Sequence, residues 1–364
     1  YYDMQERKLI EIAKCLNKNP EIFIVDETTT ALSETGRNLL YKKMNDLKNQ
    51  NKSVLFISHD LDELMEKCDT LTVLRDGNIV ANLSKEKGEF DPEAIKKYMI
   101  GRELKGDYYR SDFDGSYDSQ VVLKMVDGIE GKQLRHVNLE LHKGEILGIY
   151  GLLGAGRTEI FECVMGMRPN HTGDIILNGK KIEIQSVADQ IDKGFAWLPE
   201  DRQREGLVQT MSIAKNIALS NIGKYTNPLG LIDKNKEDAA EAEMIKDVHI
   251  KVADKDLPIL SLSGGNQQKV VFAKGALTNP QIMLLDEPSR GIDIGAKTEI
   301  FHLIYQYAKR GVSLLVISSE LEEIIAIADR ILVLSNGIKT AELTGDDITQ
   351  DNLVKASYMG HKAN

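Results

Sequence analysis

The chain has 364 residues, enough for two domains with cores of their own, and its 42% apolar and 28% charged residues are an ordinary globular balance. A formal net charge of −10 disfavours a partner built on a phosphate backbone unless a local basic patch overrides the overall field. Cys15, Cys68 and Cys163 are odd in number and far apart, so they offer no zinc spacing and suit a reducing compartment, while no apolar run reaches the roughly 18 residues of a membrane span and no secretory signal opens the sequence.

Residues 1–14 start without an initiating methionine, in a helical pattern carried by Leu9, Ile10, Ile12 and Ala13. Ile22–Asp26 follows as a buried strand ending in Asp26, with Glu27 directly behind it. A second buried strand over 54–57 delivers Ser58, His59 and Asp60 at its end. From about 101 to 120 the sequence is polar, rich in Asp, Ser, Gly and Tyr, and without periodicity, which reads as a linker.

A strand-and-hairpin pattern then runs from near 121 through Leu141, and Gly144-Glu145 leads into a strand over 146–150. Behind it stand Gly151, Leu152, Leu153, Gly154, Ala155, Gly156, Arg157 and Thr158, followed by a helix start with Ile160, Phe161 and Val164. This is the glycine spacing of the phosphate-cradling loop G-x-x-x-x-G-K-[ST], in which backbone N–H groups and the helix start meet phosphates and the hydroxyl meets Mg²⁺. Arg157 replaces the lysine, and its wide planar head does not stand in for a compact ammonium. Phosphate binding is expected here, with weak or absent hydrolysis.

The segment Phe195-Ala196-Trp197-Leu198-Pro199-Glu200-Asp201-Arg202 precedes a charged amphipathic run, KNKEDAAEAEMIKDV, whose charges read as a solvated helix face. Ser263, Gly264, Gly265 and Asn266, with Gln267 behind them, open a helix rich in Val270, Val271, Phe272, Ala273 and Ala276. Its unpaired N–H groups and positive dipole end make an anion site, which the glycines let a phosphate approach closely. Pro280 closes that helix, and Ile282–Asp286 reads as a buried parallel strand whose terminal carboxylate falls in the ligand crevice of an α/β sheet. Because Glu287 follows, one carboxylate can serve Mg²⁺ while the other orients or deprotonates an attacking water. A last strand over 314–317 delivers Ser318, Ser319 and Glu320.

An internal repeat joins these parts. Lys14 matches Lys274, Pro20 matches Pro280, Asp26 matches Asp286 and Glu27 matches Glu287, each 260 residues apart, and the offset persists to His59 against Ser319, Asp69 against Asp329 and Gly77 against Gly337. The expectation is one and a half copies of a nucleotide-binding unit: the C-terminal part of a first copy over 1–102, a linker over 103–120 and a complete second copy over 121–364. The first copy carries no P-loop, so the sequence reads as a fragment of a longer protein. Where the second copy has Ser263 to Asn266, the first has Asp3, Met4, Gln5 and Glu6, whose acids repel phosphate.

LSGGNQQ, LLDEP, SRGID and the switch region behind them resemble the ATP-binding cassette of ABC transporters. LSGGNQQKV with DEPSRGIDIGAK is similar to the tandem-cassette ATPases of bacterial sugar importers of the ribose, galactose and xylose type, over nearly the whole chain. The resemblance implies an α/β P-loop fold, with a mostly parallel sheet core and antiparallel β and helical subdomains, that binds ATP with Mg²⁺. It places Glu200 near the glutamine of the Q-loop, where it becomes a candidate metal contact, and makes Gly291, Ile292 and Asp293 the loop by which one cassette addresses the other. It implies head-to-tail pairing of cassettes, within a longer chain or as a homodimer, at the cytoplasmic face of the plasma membrane. The implied partners are permease subunits and, indirectly, an extracellular sugar-binding protein; no nucleic acid is expected.

Paired in this way, the motifs are unequal. The first site joins Asp26, Glu27 and His59 to Ser263, Gly264, Gly265 and Asn266, with Glu27 as base or water-orienting group, Asp26 holding Mg²⁺ through water and His59 on the γ-phosphate. The second joins the loop from Gly151 to Thr158, Asp286, Glu287 and Ser319 to the degraded segment from Asp3 to Glu6. The first is expected to hydrolyse ATP and the second mainly to hold it, and residues 1–364 alone are expected to be inactive. An importer of the furanosyl signal autoinducer-2 has the same architecture and is an alternative. A soluble tandem-cassette protein acting on ribosomes or DNA is another, although the basic extensions and two intact sites usual there are not seen.

Overall fold

The protein is described from a computed structural model covering residues 4–26, 28–58, 61–75, 78–92, 94–95, 98 and 117–360. It divides into two units, 1–105 and 106–364. In the first, α1 (Met4–Leu16), β1 (Ile22–Asp26), α2 (Glu34–Asn49), β2 (Ser53–Ile57), α3 (Leu61–Lys67), β3 (Thr70–Arg75) and β4 (Asn78–Ser84) follow one another. β1 and β2 pair in parallel from Ile22 opposite Ser53 to Asp26 opposite Ile57, and β3 and β4 form an antiparallel pair.

The second unit opens with β5 (Val121–Glu130) and β6 (Leu134–His142), then β7 (Ile146–Gly151) and α4 (Arg157–Val164). β8 (Thr172–Leu177), β9 (Lys180–Lys181), α5 (Val187–Asp192) and β10 (Phe195–Leu198) lead to a helical part, α6 (Ile213–Ala218), α7 (Ile222–Tyr225) and α8 (Lys234–Asp247). The chain returns through α9 (Gly264–Ala276), β11 (Ile282–Asp286), α10 (Ile294–Lys309), β12 (Ser313–Ile317), α11 (Leu321–Ile327), β13 (Arg330–Ser335), β14 (Ile338–Thr344) and α12 (Gln350–Met359).

β7, β11 and β12 are apolar without alternation because both faces of their sheet are covered. That sheet runs β10-β11-β12-β7-β13-β14, parallel throughout except for the antiparallel edge pair β13–β14. Phe272, Ile300, Ile304, Val316 and Leu353 bury one face; Phe161, Leu139, Leu147, Leu284 and Ile317 bury the other, beneath the antiparallel sheet β6-β5-β8-β9. Among the described residues no helix is long and apolar enough to cross a membrane.

The 260-residue offset holds for element boundaries. α1 spans 4 to 16 and α9 spans 264 to 276; β1, α2, β2, α3, β3 and β4 likewise begin and end 260 residues before β11, α10, β12, α11, β13 and β14. The irregularity between Val73 and Leu74 recurs between Val333 and Leu334.

Burial departs from expectation in two places. β1 and β2 are not fully buried: Ile22 and Ile24 are 64% and 60% exposed, and Leu55 and Ile57 are also exposed. Their counterparts Ile282, Leu284, Leu315 and Ile317 are buried beneath α4 and the β5–β6 hairpin, elements without a match among the described residues of the first unit. The charged run at α8 is also more than a solvated face, since Glu241 is fully buried and accepts from Lys255 at 2.5 Å. Most of the linker expected over 103–120, as far as residue 116, lies outside the described residues.

Candidate functional site

The candidate site of the second unit lies at the C-terminal ends of β7, β11 and β12, where an open parallel sheet leaves its ligand crevice. β7 runs into the glycine loop, and α4 starts at Arg157 with Gly156 as its N-cap, at a φ of 99° that excludes an ordinary side chain. A Cβ on Gly151 would stand 2.5 Å from the Leu334 carbonyl of β13, and one on Gly156 2.4 Å from that of Gln133 in the β5–β6 turn, so both glycines are required by close backbone packing. A Cβ on Gly154 would meet nothing, so this glycine is on the open side of the loop. Ala155 is buried; its N–H donates to Leu152 and its carbonyl accepts from Gly337, each at 3.0 Å, which fixes the loop to the turn after β13.

Asp286 ends β11, almost fully buried, and neither carboxylate oxygen receives a hydrogen bond of normal geometry. Burial raises its pKa to about 7, against the pull of the Thr158 hydroxyl beside it, and the negative charge of Glu287 adds to the rise. Glu287 is also buried and sits at a positive φ of 47°. One of its oxygens accepts from the Ser319 N–H at 3.0 Å and the Ser319 hydroxyl at 3.1 Å, and the other lies 3.3 Å from the Arg157 guanidinium. Burial raises the Glu287 pKa too, opposed by Ser319 and Arg157. The sheet thus brings together Arg157, Thr158, Asp286, Glu287 and Ser319, which the sequence places up to 162 residues apart (157 to 319).

The orphaned carboxylate of Asp286 beside Thr158 is a hard-oxygen donor set that fits Mg²⁺, which takes one or two protein oxygens and completes its shell with water and phosphate. Among the described residues no group of three or more His, Cys, Asp or Glu forms a closed cage. Glu200, expected as a further metal contact, pairs with Arg290.

Ser263 caps α9 and accepts from the Asn266 N–H, while Asn266 also donates its amide to Ser263 at 3.2 Å and accepts from the Lys251 N–H at 3.0 Å. The two glycines have packing reasons absent from the sequence reading. A Cβ on Gly265 would stand 2.3 Å from that of Ala296 on α10, and one on Gly264 would stand 2.9 Å from the Arg202 guanidinium. Gln267 turns inward, donating to the Leu262 carbonyl at 3.1 Å, so it braces the helix start.

In the first unit Asp26 ends β1 and is exposed, while Glu27, His59 and Asp3 lie outside the described residues. Sequence reasoning missed the roles of two residues, Arg202 and Glu323. Arg202 donates to the Arg290 carbonyl at 2.8 Å and to that of Gly291 at 3.0 Å, clamping the loop after β11 to the segment after β10. Glu323 accepts from Ser289 and Ser318. The signal for Glu323 was present, because Glu63 stands 260 residues earlier.

The comparisons agree with this geometry. A family model described as ABC transporter matches residues 134–290. A xylose import ATP-binding protein of Photobacterium profundum is 38% identical over 355 residues, covering 96% of this chain and 69% of that protein. A ribose import ATP-binding protein of Clostridium tetani is 39% identical over 352 residues, covering 96% and 68%. The fold is similar to a nucleotide-free ATP-binding cassette from an ABC transporter, with a TM-score of 0.56 and 21% identity over 64% of this chain and 95% of that one. It is also similar to a dimeric post-hydrolysis cassette bound to ADP and phosphate, with a TM-score of 0.53 and 20% identity over 61% and 98%, a likeness of fold alone. With glycine loop, buried acid pair and capped signature helix on one sheet, and relatives of this identity along nearly its whole length, the chain belongs to the ABC transporter family, among the sugar-import ATP-binding proteins.

Proposed function

We propose that this chain couples ATP hydrolysis to import of a monosaccharide through permease subunits at the cytoplasmic face of the membrane, supplied by an extracellular binding protein. Residues 1–102 are the C-terminal part of a first cassette and 121–364 a second cassette, so that turnover belongs to one nucleotide site and retention to the other. The names of the ribose and xylose relatives support the solute class. The shared 260-residue offset of every element from α1 to β4, and the exposed apolar face of β1 and β2, support a partial first cassette.

The observation that carries the asymmetry is the state of Glu287. A water-orienting carboxylate needs a free oxygen toward the attacking water, yet one oxygen of Glu287 accepts twice from Ser319 and the other faces the Arg157 guanidinium at 3.3 Å. In the first copy His59 stands where the second has Ser319. There Glu27 orients the water, His59 positions the γ-phosphate and the capped start of α9, Ser263 to Asn266, meets the phosphate charge that develops. Mg²⁺ neutralises phosphate oxygens when bound; Asp26 would hold it in the first site, and Asp286 with Thr158 in the second.

The test is ATP turnover by the full-length chain. Glu27→Gln should lower it by on the order of 10²-fold or more, while Glu287→Gln should leave it within about threefold. Equal losses from the two substitutions would remove the asymmetry, and full activity in Glu27→Gln would remove the first site.

A further inference from the structure

We propose that Glu63 and Glu323 are positioning residues, each stapling the loop behind one sheet strand to the loop behind the next, so that the carboxylate and the switch residue on those loops move as one piece. In the second unit one oxygen of Glu323 accepts from Ser289 at 2.6 Å and from Ser318 at 2.7 Å, and the other lies 2.8 Å from the Lys297 ammonium. Ser289 stands two residues after Glu287, and Ser318 immediately precedes Ser319. In the first unit one oxygen of Glu63 accepts from Thr29 and from Ser58, each at 3.0 Å, and the other accepts from the Tyr41 hydroxyl. Thr29 stands two residues after Glu27, and Ser58 immediately precedes His59.

Both glutamates are the third residue of a short helix, α3 or α11, and both are 8% exposed. Burying a carboxylate has an effective cost of several kcal/mol, and an apolar residue fills such a position without it. The carboxylate nevertheless stands in both units although much around it has changed. Thr29 answers to Ser289, His59 to Ser319, and the further donor changes from the neutral Tyr41 to the charged Lys297 at a different position. What the two arrangements share is the double acceptance by one oxygen, which joins the two loops. In the second unit the same loops meet directly through Glu287 and Ser319, so the staple fixes the backbone on either side of that contact. A positional error of about 1 Å at such a site is enough to lower a rate about 10²-fold.

This inference rests on the assignment of turnover to Glu27 and His59, and the test separates the two. In the full-length chain, Glu63→Ala should lower kcat for ATP by about 10- to 100-fold and leave KM within about threefold. Glu63→Gln, whose amide oxygen accepts from both Thr29 and Ser58, should restore most of the rate. Thr29→Val and Ser58→Ala should each lower kcat, and together lower it by about no more than the larger single effect, because either one opens the same staple. An unchanged kcat in Glu63→Ala, a glutamine variant as impaired as the alanine, or multiplying effects of the two hydroxyl deletions would each overturn the staple. Should Glu63→Ala fail to fold, the hydroxyl deletions decide. Glu27→Gln is the control: if it is inactive while the Glu63 and hydroxyl variants turn over normally, only the staple falls; if it is active, the site assignment falls with it.

Discussion

Asp286 shows how this site holds a charge in reserve. Its side chain is buried without a normal hydrogen bond, and burial raises its pKa from 3.8 to about 7. The native state therefore binds this proton more tightly than the unfolded chain does. The corresponding stability is complete below about pH 4, falls as pH rises toward about 7 and is absent above it. In EDTA and without nucleotide, Asp286→Asn should flatten that fall and stabilise the protein at pH 8 by on the order of 3 kcal/mol, read from thermal or urea unfolding across pH. Parallel curves for the two proteins would contradict the burial argument. Arg157 has the opposite task, since it answers the buried Glu287. Arg157→Ala should destabilise the nucleotide-free protein by about 1–3 kcal/mol, and much less in a Glu287→Gln background where no charge is left unpaired, a difference that a double-mutant unfolding cycle measures.

At the scale of elements, much was legible and the remainder has identifiable causes. The strand Ile282–Asp286 was readable to the residue because a run apolar at every position, closed by Pro280 in front and an acid behind, has one good home in a sheet covered on both faces. The same pattern misled for Ile22–Asp26, which no such layer covers among the described residues: local composition encodes the strand, but burial is set by what packs on it. The glycines of the phosphate loop and of the signature were recognised as phosphate-approach positions. That Gly151, Gly156 and Gly265 also answer to Leu334, Gln133 and Ala296 depends on tertiary neighbours distant in sequence. The staples could have been read from the repeated Ser58/Ser318 and Glu63/Glu323, but nothing local distinguishes a buried helix glutamate from a solvated one. They differ in a way that predicts a measurement. In Glu323→Gln the new amide donor can face the Lys297 ammonium, which then keeps Glu320 as its carboxylate partner, for a loss of about 1–3 kcal/mol of stability. In Glu63→Gln the Tyr41 hydroxyl can turn to accept, and the loss should stay under about 1 kcal/mol. Equal losses in urea unfolding would show that the further donor does not distinguish the two units.

For the whole molecule, the proposed function sets one repeated architectural module to unequal ends. Elements from α1 to β4 repeat those from α9 to β14 at a constant offset, yet the second copy carries Arg157 and Ser319 around Glu287 where the first carries Glu27 with His59. Cysteine spacing offered no zinc reading, no apolar run reached the length of a membrane span and the net charge disfavoured nucleic acid; the acid pair and the repeat carried the positive reading. The most direct measurement is the fate of the nucleotides in a single turnover by the full-length chain loaded with labelled ATP and Mg²⁺ and then chased with unlabelled ATP. The account predicts that one nucleotide per chain is converted to ADP while the other remains ATP, and that Glu27→Gln leaves both as ATP. Conversion of both nucleotides at comparable rates would contradict it.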